Sequence, residues 1–317
     1  MYNIRDRHTI SSCKQIIENN DFNLLPGRQS LAFLTQLTNW KPSKKPTLYF
    51  CRLFVLLTFA YFHFGTYCNW PYKIESDGKY YYQYLISGFY DGDFDFTNNY
   101  QTPKYEWMHQ KIDHYGFKDQ LSPATGRPTN LFTLGQSILW TPLFLLTRIS
   151  GYFLKLLGFP IDTNPWGKFF QYSIMYSSVL YLLTTLFLLY RLLNRYFEKT
   201  PSIYATGLII FSTNLFYYTV FEPSMSHVYD LFTFVVFIFI FVEVVENPSL
   251  VLYIALAIAG ALHILVRTQN ILTIILFSAL LFLIPFATEK KPSSLKSIGI
   301  YVGILILGFL PIPLLNT

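Results

Sequence analysis

The chain of 317 residues has a composition that argues against an ordinary soluble domain, because 52% of its residues are hydrophobic and only 13% are charged. So much apolar surface exceeds what one water-soluble core can bury, and it predicts a protein that crosses a membrane several times. The net charge of +6 is modest, and the basic residues cluster at the ends of apolar segments, which argues against a nucleic-acid partner.

The predicted elements begin with a polar segment, residues 1–46, which carries seven Lys and Arg residues and is interpreted as a cytoplasmic N-terminal tail. Residues 47–67 form the first apolar run, close to the roughly 20 residues with which a helix crosses a bilayer. Six further runs predict spans at 169–192, 202–220, 228–245, 250–266, 271–287 and 298–315. The sequence therefore predicts an all-α polytopic membrane protein, with about seven transmembrane helices in a domain over residues 47–317.

An eighth apolar run, residues 131–157, decides the topology, because a crossing there would reverse the orientation of every later span. If this run does not cross, the basic loops around Arg195 and Lys290 lie on the cytoplasmic side, as the positive-inside rule expects. The run is also interrupted by Pro142, Arg148 and Lys155. It is therefore predicted to be a juxtamembrane or re-entrant segment within one long external loop, residues 68–168.

That loop carries nine of the 18 acidic residues of the chain, and Asp77 comes first among those with a chemical interpretation. Ser76 is predicted to cap a helix that bears Tyr81, Leu85 and Phe89 at four-residue spacing. Asp77 in the first turn then has two interpretations. It is either a carboxylate that stabilises the helix N-terminus or a general base that takes a proton from an acceptor hydroxyl.

A second acidic segment, Asp91-Gly92-Asp93-Phe94-Asp95, has a turn as its simplest interpretation, because Asp-Gly favours a tight bend. An EF-hand loop would need Gly and Glu where Phe96 and Thr102 stand, and a nucleotide-sugar site would need a βαβ pattern that the sequence lacks. A supporting acid in catalysis, Asp93, is the second interpretation. No metal or other cofactor is predicted.

Other polar residues flank the apolar runs on the same predicted external side. Arg127 and Arg267 are either membrane-edge residues or cations that hold a phosphate. Glu222 and His227 lie in a hairpin before the 228–245 span, where Pro223 is predicted to begin a helix and Asp230 follows one turn later. The tyrosines near position 81 fit an interfacial belt, and Tyr81 is also a candidate for sugar contact.

In their order, these segments resemble the GT-C superfamily of membrane glycosyltransferases, and in particular the bacterial protein mannosyltransferases and aminoarabinose transferases. The segments are Asp77-Gly78 with the tyrosines after it, Asp91-Gly92-Asp93, Gly126-Arg127-Pro128, and residues 222–227 and 266–270. The resemblance implies juxtamembrane helices over a lipid-facing cavity. It also implies Asp77 as the base, Arg127 as a contact of the carrier phosphate, and Glu222 or His227 as a second active-site group.

The resulting hypothesis is an inverting glycosyltransferase that moves a sugar from a polyprenyl-phosphate carrier to a hydroxyl of a glycan, lipid or protein acceptor. Its predicted catalytic residues are Asp77, Asp93 and Glu222, and its predicted substrate-binding residues are Arg127, Arg267, His227 and Tyr81. The predicted location is a bacterial plasma (inner) membrane. The alternatives are a transporter or flippase of lipid-linked sugars and a truncated, inactive membrane remnant.

Overall fold

The computed structural model describes residues 44–68, 74–97, 122, 126–130, 132–288 and 295–309. The architecture is all-helical, with 79% helix and no β-strand in these ranges. The α-helices of the described ranges are α1 Lys44–Cys68, α2 Gly78–Ile86, α3 Gly135–Leu156, α4 Lys168–Tyr196, α5 Lys199–Phe211, α6 Leu215–Val220, α7 His227–Glu246, α8 Leu250–Val266, α9 Ile271–Thr288 and α10 Leu295–Phe309. The predicted tail, apart from its last three residues, and the loop acids Glu106, Asp113 and Asp119 lie outside the described residues.

Among the described residues, four helical segments are long enough and apolar enough to cross a membrane: Pro46–Phe64 in α1, and the helices α3, α4 and α7. Shorter apolar segments follow in α8, α9 and α10. The predicted class of all-α membrane protein is thus confirmed, whereas the count of seven spans stays a prediction.

The longest described helix, α4, runs parallel to α7. Two contacts fix the positions of the two helices relative to each other along their axes. Near one end of α7, the Ser177 and Tyr229 hydroxyls lie 2.7 Å apart. Near the other end, Arg195 forms an ion pair with Glu243. Since Tyr229 is only the third residue of α7, the first turns of α4 extend past the start of α7.

Helix α3 lies over that same end of the bundle. Its course is fixed by Gly135 against Leu265 of α8, Leu139 against Tyr181 of α4, and Gly151 against Phe169 of α4. These contacts place α3 along the first half of α4. Because α3 runs antiparallel to α4, the last turn of α3 extends beyond the first residue of α4.

Pro142 does not break α3, because one helix continues through it from Gly135 to Leu156. A proline removes one backbone donor, and a helix in an apolar setting tolerates this when neighbouring groups bond to the backbone. The carbonyl that loses its helical donor is that of Ile138, four residues before the proline, and in the adjacent position the Thr141 hydroxyl donates to the Ser137 carbonyl oxygen at 2.8 Å.

The run predicted as a span at 202–220 is not one continuous helix, because helix α5 ends at Phe211 and α6 begins only at Leu215. Ser212 and Thr213 each donate a hydroxyl hydrogen bond to the carbonyl four residues earlier, both at 2.6 Å. The Thr213 hydroxyl oxygen also accepts from the Leu215 backbone N–H at 3.3 Å. Side-chain bonds of this kind compete with the backbone ladder and break the helix.

At the start of α2 the predicted cap is shifted by one residue. Asp77 rather than Ser76 occupies the N-cap position, and its side chain makes no capping hydrogen bond. Ser76 has φ 50°, a left-handed conformation that is uncommon outside glycine. The Asp77 carboxylate therefore does not bond to the backbone N–H groups at the start of α2. The prediction that Pro223 begins a helix is wrong as well, since α7 begins at His227.

Candidate functional site

Ser224, in the loop before α7, joins three elements of the site. A Cβ added at Gly78 would lie 2.5 Å from the Ser224 Cβ, so only glycine allows this approach. The Ser224 hydroxyl donates to the Glu75 carbonyl oxygen at 3.2 Å, and the Gln136 amide donates to the Ser224 carbonyl oxygen at 2.8 Å. The loop therefore lies against the first residues of both α2 and α3.

Around this junction the structure brings together six titratable side chains, which we call the Asp77 cluster: Asp77, Tyr81, Glu222, His227, Asp230 and Arg267. The charges of Asp77, Asp230 and Arg267 all act on the Tyr81 hydroxyl. The same three charges, together with that of Glu222, act on the His227 ring. Asp77 is partly exposed, so its carboxylate is accessible from outside the protein.

Asp230, in the first turn of α7, links the cluster to a buried polar network. Its carboxylate lies 3.6 Å from the Arg267 guanidinium and accepts a hydrogen bond from the Asn270 amide at 2.6 Å. The Asn270 amide also donates to the His263 carbonyl oxygen at 2.9 Å. The His263 ring in turn meets the Thr233 hydroxyl at 2.9 Å. This network orients Asp230 toward Arg267 and leaves the Arg267 side chain 30% exposed.

Tyr81 enters the cluster through its hydroxyl rather than through its ring face. Its side chain is 3% exposed and its ring packs edge-on against Phe132 and Trp140. Burial raises the pKa of Tyr81 to about 12, although a hydrogen bond with Ser226 opposes the shift. Tyr81 is therefore neutral at physiological pH and can donate a hydrogen bond, but its buried ring is not an open platform for a sugar.

A row of aromatic side chains borders the cluster on the α6 side. The His227 ring stacks on Tyr218 with centroids 3.8 Å apart, and Tyr217 stacks on Phe221 at 5.7 Å. The Tyr217 hydroxyl donates to the Glu222 carboxylate at 3.0 Å. Stacking holds the imidazole in one orientation beside the charged groups.

Two of the predicted residues, Asp93 and Arg127, belong to a second group around Asp95. The Asp93 carboxylate accepts from the Ser87 hydroxyl at 3.0 Å and from the Asp95 backbone N–H at 3.1 Å. Arg127 forms an ion pair with Asp95 at 3.1 Å. Hydrogen bonds from the Thr97 hydroxyl and backbone N–H, together with the Arg127 charge, lower the pKa of Asp95.

This second group lies at the far end of α2. The helix continues as a π-helical turn, Ser87–Asp91, so that about 20 Å of helix separates Asp77 from Asp93. Asp93 is thus engaged in the turn that the Asp-Gly pattern favours. Of the two predicted phosphate ligands, Arg267 is the one that belongs to the Asp77 cluster.

The sequence predictions assigned no role to Asn270, His263 or Ser224. His263 is a titratable residue within the apolar run of α8, and Asn270 follows Arg267 in a short polar interval between two apolar helices. Both positions are unusual in a membrane helix pair and could have been marked on that ground. The role of Ser224 depends on its contact with Gly78, which no sequence pattern encodes.

The described residues define a helical membrane protein with a cluster of carboxylates and one guanidinium where the starts of α2, α3 and α7 meet the end of α8. Within them, no three His, Cys, Asp or Glu side chains are grouped as a metal site. The chain matches none of the family models, curated proteins or solved structures with which it was compared.

Proposed function

We propose that this protein is a membrane glycosyltransferase of the GT-C type, which transfers a sugar from a polyprenyl-phosphate carrier to an acceptor hydroxyl. The observation that carries the proposal is the presence in one cluster of an accessible carboxylate, Asp77, and a partly exposed arginine side chain, Arg267. A transfer of this kind needs a base for the acceptor and a cation for the departing phosphate.

In the proposed reaction Asp77 takes the proton of the acceptor hydroxyl while that oxygen attacks C1 of the sugar. The new C1–O bond forms as the bond from C1 to the phosphate oxygen breaks, which inverts the configuration at C1. The electron pair of the broken bond leaves with the polyprenyl phosphate, and Arg267 stabilises the charge that develops there. Asp230 and Asn270 position Arg267, and Tyr81 can donate a hydrogen bond to the substrate.

Glu222 and His227 keep a substrate-binding or supporting catalytic role in this proposal, since their side chains belong to the same cluster. Asp93 and Arg127 take a different one. Their hydrogen bonds and ion pair support a role in shaping the turn after α2. The resemblance implied that Arg127 contacts the carrier phosphate; in this proposal Arg267 makes that contact instead.

The proposal includes seven crossings, by α1, α4, α5 with α6, and α7 to α10, with α3 as a juxtamembrane helix. Support comes from the position of α3 over the ends of α7 and α8 rather than beside their full length. Lys199, at the start of α5, lies at the opposite end of the bundle from the Asp77 cluster. A basic loop there agrees with a cluster on the external side of the plasma membrane.

The test is turnover of polyprenyl-phosphate-linked hexoses by purified protein in lipid nanodiscs with an acceptor supplied, measured as release of polyprenyl phosphate. Asp77→Asn is expected to lower the rate by roughly 10² to 10⁴, the contribution typical of a general base. Glu75→Gln is the matched control, because it removes an exposed carboxylate two residues away and is expected to change the rate little. Full activity of the Asp77→Asn protein would remove Asp77 as the base.

One observation favours a second function, a transporter or flippase of lipid-linked sugars. The break at 212–214 between α5 and α6 interrupts an apolar segment of the kind that transporters use at substrate sites. The titratable groups of the Asp77 cluster lie elsewhere, at one end of the bundle, which favours the transferase. Proteoliposomes separate the two functions. A flippase moves a labelled lipid-linked sugar between leaflets without an acceptor, whereas a transferase releases polyprenyl phosphate only when an acceptor is present.

A further inference from the structure

Helices α1 and α5 enclose a groove near the end of the bundle opposite the Asp77 cluster. The groove has a volume of about 540 Å³. Its apolar walls include Leu53 and Leu56 of α1 with Leu208 and Phe211 of α5. Leu208 is 64% exposed, so the groove opens toward the surrounding membrane. A groove of this composition suits a hydrocarbon chain.

Arg52 lines one part of this groove. It is exposed, and within the described ranges no carboxylate pairs with it and no hydrogen bond joins it to another residue. It is also the seventh residue of the span Pro46–Phe64, about 9 Å along the helix axis from the start of that span. A charged residue at that depth needs an anionic partner or a path to water.

Hydroxyl groups lie in the same groove as the guanidinium. Gly207 leaves room for the Tyr49 hydroxyl, which would lie 2.8 Å from a Cβ at that position, and Thr206 is beside it. Thr200 and Tyr204 add two more hydroxyl groups to the lining. A guanidinium with neighbouring hydroxyls is a chemically suitable set of donors for a phosphate.

A second, shallower groove of about 500 Å³ shares Arg52 and Leu56 with the first. Cys51, Val55 and Phe59 form the rest of its lining, on the outward face of α1. Two apolar grooves therefore flank a single guanidinium. This arrangement matches a lipid with two acyl chains below one phosphate better than it matches a single polyprenyl chain.

We propose that Arg52 and the two grooves beside it form a binding site for an anionic two-chain phospholipid. The phosphate contacts Arg52, with hydroxyls of the α5 side nearby, and one acyl chain lies in each groove. The site is separate from the Asp77 cluster and lies in the leaflet at the other end of the bundle, so it does not depend on the proposed function.

Native mass spectrometry of the full chain in detergent tests the site, with phosphatidylglycerol, phosphatidylcholine and undecaprenyl phosphate titrated separately. Phosphatidylglycerol is expected to bind most tightly. Arg52→Ala is expected to weaken its binding at least about tenfold, as loss of a hydrogen-bonded charge contact should. Lys155→Ala is the matched control, since it removes an exposed cation from α3 and is expected to change binding less than twofold.

A second variant tests the grooves without changing charge. Leu56→Trp places a large ring where the two grooves meet and is expected to weaken phosphatidylglycerol binding by a similar factor while Arg52 remains. Each variant is checked for an unchanged melting temperature. Equal binding of phosphatidylglycerol by the wild-type and Arg52→Ala proteins, equal affinity for phosphatidylcholine, or tighter binding of undecaprenyl phosphate would each overturn the proposal.

Discussion

The contact between Gly78 and Ser224 shows how one residue positions the proposed base. Gly78 is the first residue of α2 and follows Asp77 directly, so any shift at Gly78 moves the carboxylate. A Cβ there would meet the Ser224 Cβ at 2.5 Å and the Ser224 carbonyl oxygen at 2.9 Å. The second of these neighbours is backbone, which cannot rotate away as a long side chain can.

Gly78→Ala is accordingly expected to destabilise the protein by about 1 to 3 kcal/mol, the usual effect of overpacking. Alanine favours a helix by up to about 1 kcal/mol over glycine, but contacts below 3.0 Å outweigh that gain. The measurement is the melting temperature in detergent. Gly88→Ala is the control, because its added Cβ would meet only the Phe94 ring, at 3.6 Å. An equal melting temperature for both variants would contradict the proposed clash.

Helices α4 and α7 are tied at the end away from the site by charged side chains rather than by apolar packing alone. Arg195 forms ion pairs with Glu243 and Glu246, and its guanidinium lies 4.9 Å above the Phe239 ring. The two acids differ in burial, since the Glu243 side chain is 5% exposed and that of Glu246 is 43% exposed. Water can solvate the exposed Glu246 carboxylate, so only the buried Glu243 carboxylate needs Arg195 to stabilise its charge.

Arg195→Ala is therefore expected to destabilise the protein by about 3 kcal/mol, because it leaves the Glu243 charge buried without its guanidinium. Glu246→Gln removes the exposed half of the same ion-pair group and is expected to change stability by less than about 1 kcal/mol. Unfolding by SDS titration in mixed micelles measures both effects. Similar losses of stability from the two substitutions would show that the burial of Glu243 does not determine how strongly its ion pair with Arg195 stabilises the protein.

For the molecule as a whole, the orientation of α3 decides on which side its last residue lies. If α3 is a juxtamembrane helix over the Asp77 cluster, Leu156 and Glu75 lie on the same side of the membrane and Lys199 lies on the other. If α3 crosses the membrane, Leu156 lies on the side opposite Glu75, and Lys199 lies on the side of Glu75. All three side chains are exposed, so each position is open to a labelling reagent.

Single cysteines at Glu75, Leu156 and Lys199, in a chain whose native cysteines are replaced by serine, are expected to separate the two topologies. With a membrane-impermeant maleimide applied to intact spheroplasts, Glu75→Cys and Leu156→Cys should react, and Lys199→Cys should react only after the membrane is opened. Lys199→Cys reacting alone in intact spheroplasts would reverse the orientation. Glu75→Cys and Lys199→Cys both reacting while Leu156→Cys stays unlabelled would establish α3 as a crossing helix.

Much of the element pattern was predictable because apolar runs of about 20 residues have few outcomes in a membrane. The predicted spans at 169–192, 228–245 and 250–266 agree closely with α4, α7 and α8. The break between α5 and α6 was not predicted, because Ser212 and Thr213 can either tolerate a helix or bond to its backbone. The local hydrogen bonds decide between these outcomes, and hydropathy does not register them.

The amino-acid sequence alone determined that this is a helical membrane protein and which polar residues border its apolar segments, because hydrophobicity is a local property of the chain. It could not determine which of those residues meet. Asp77 and Arg267 are 190 positions apart, and they come together because α7 and α8 form an antiparallel pair whose shared end contacts the start of α2. Arg127 has the same residue type and a similar context, yet it pairs with Asp95. Helix packing makes that distinction, since it depends on contacts between segments far apart in the chain.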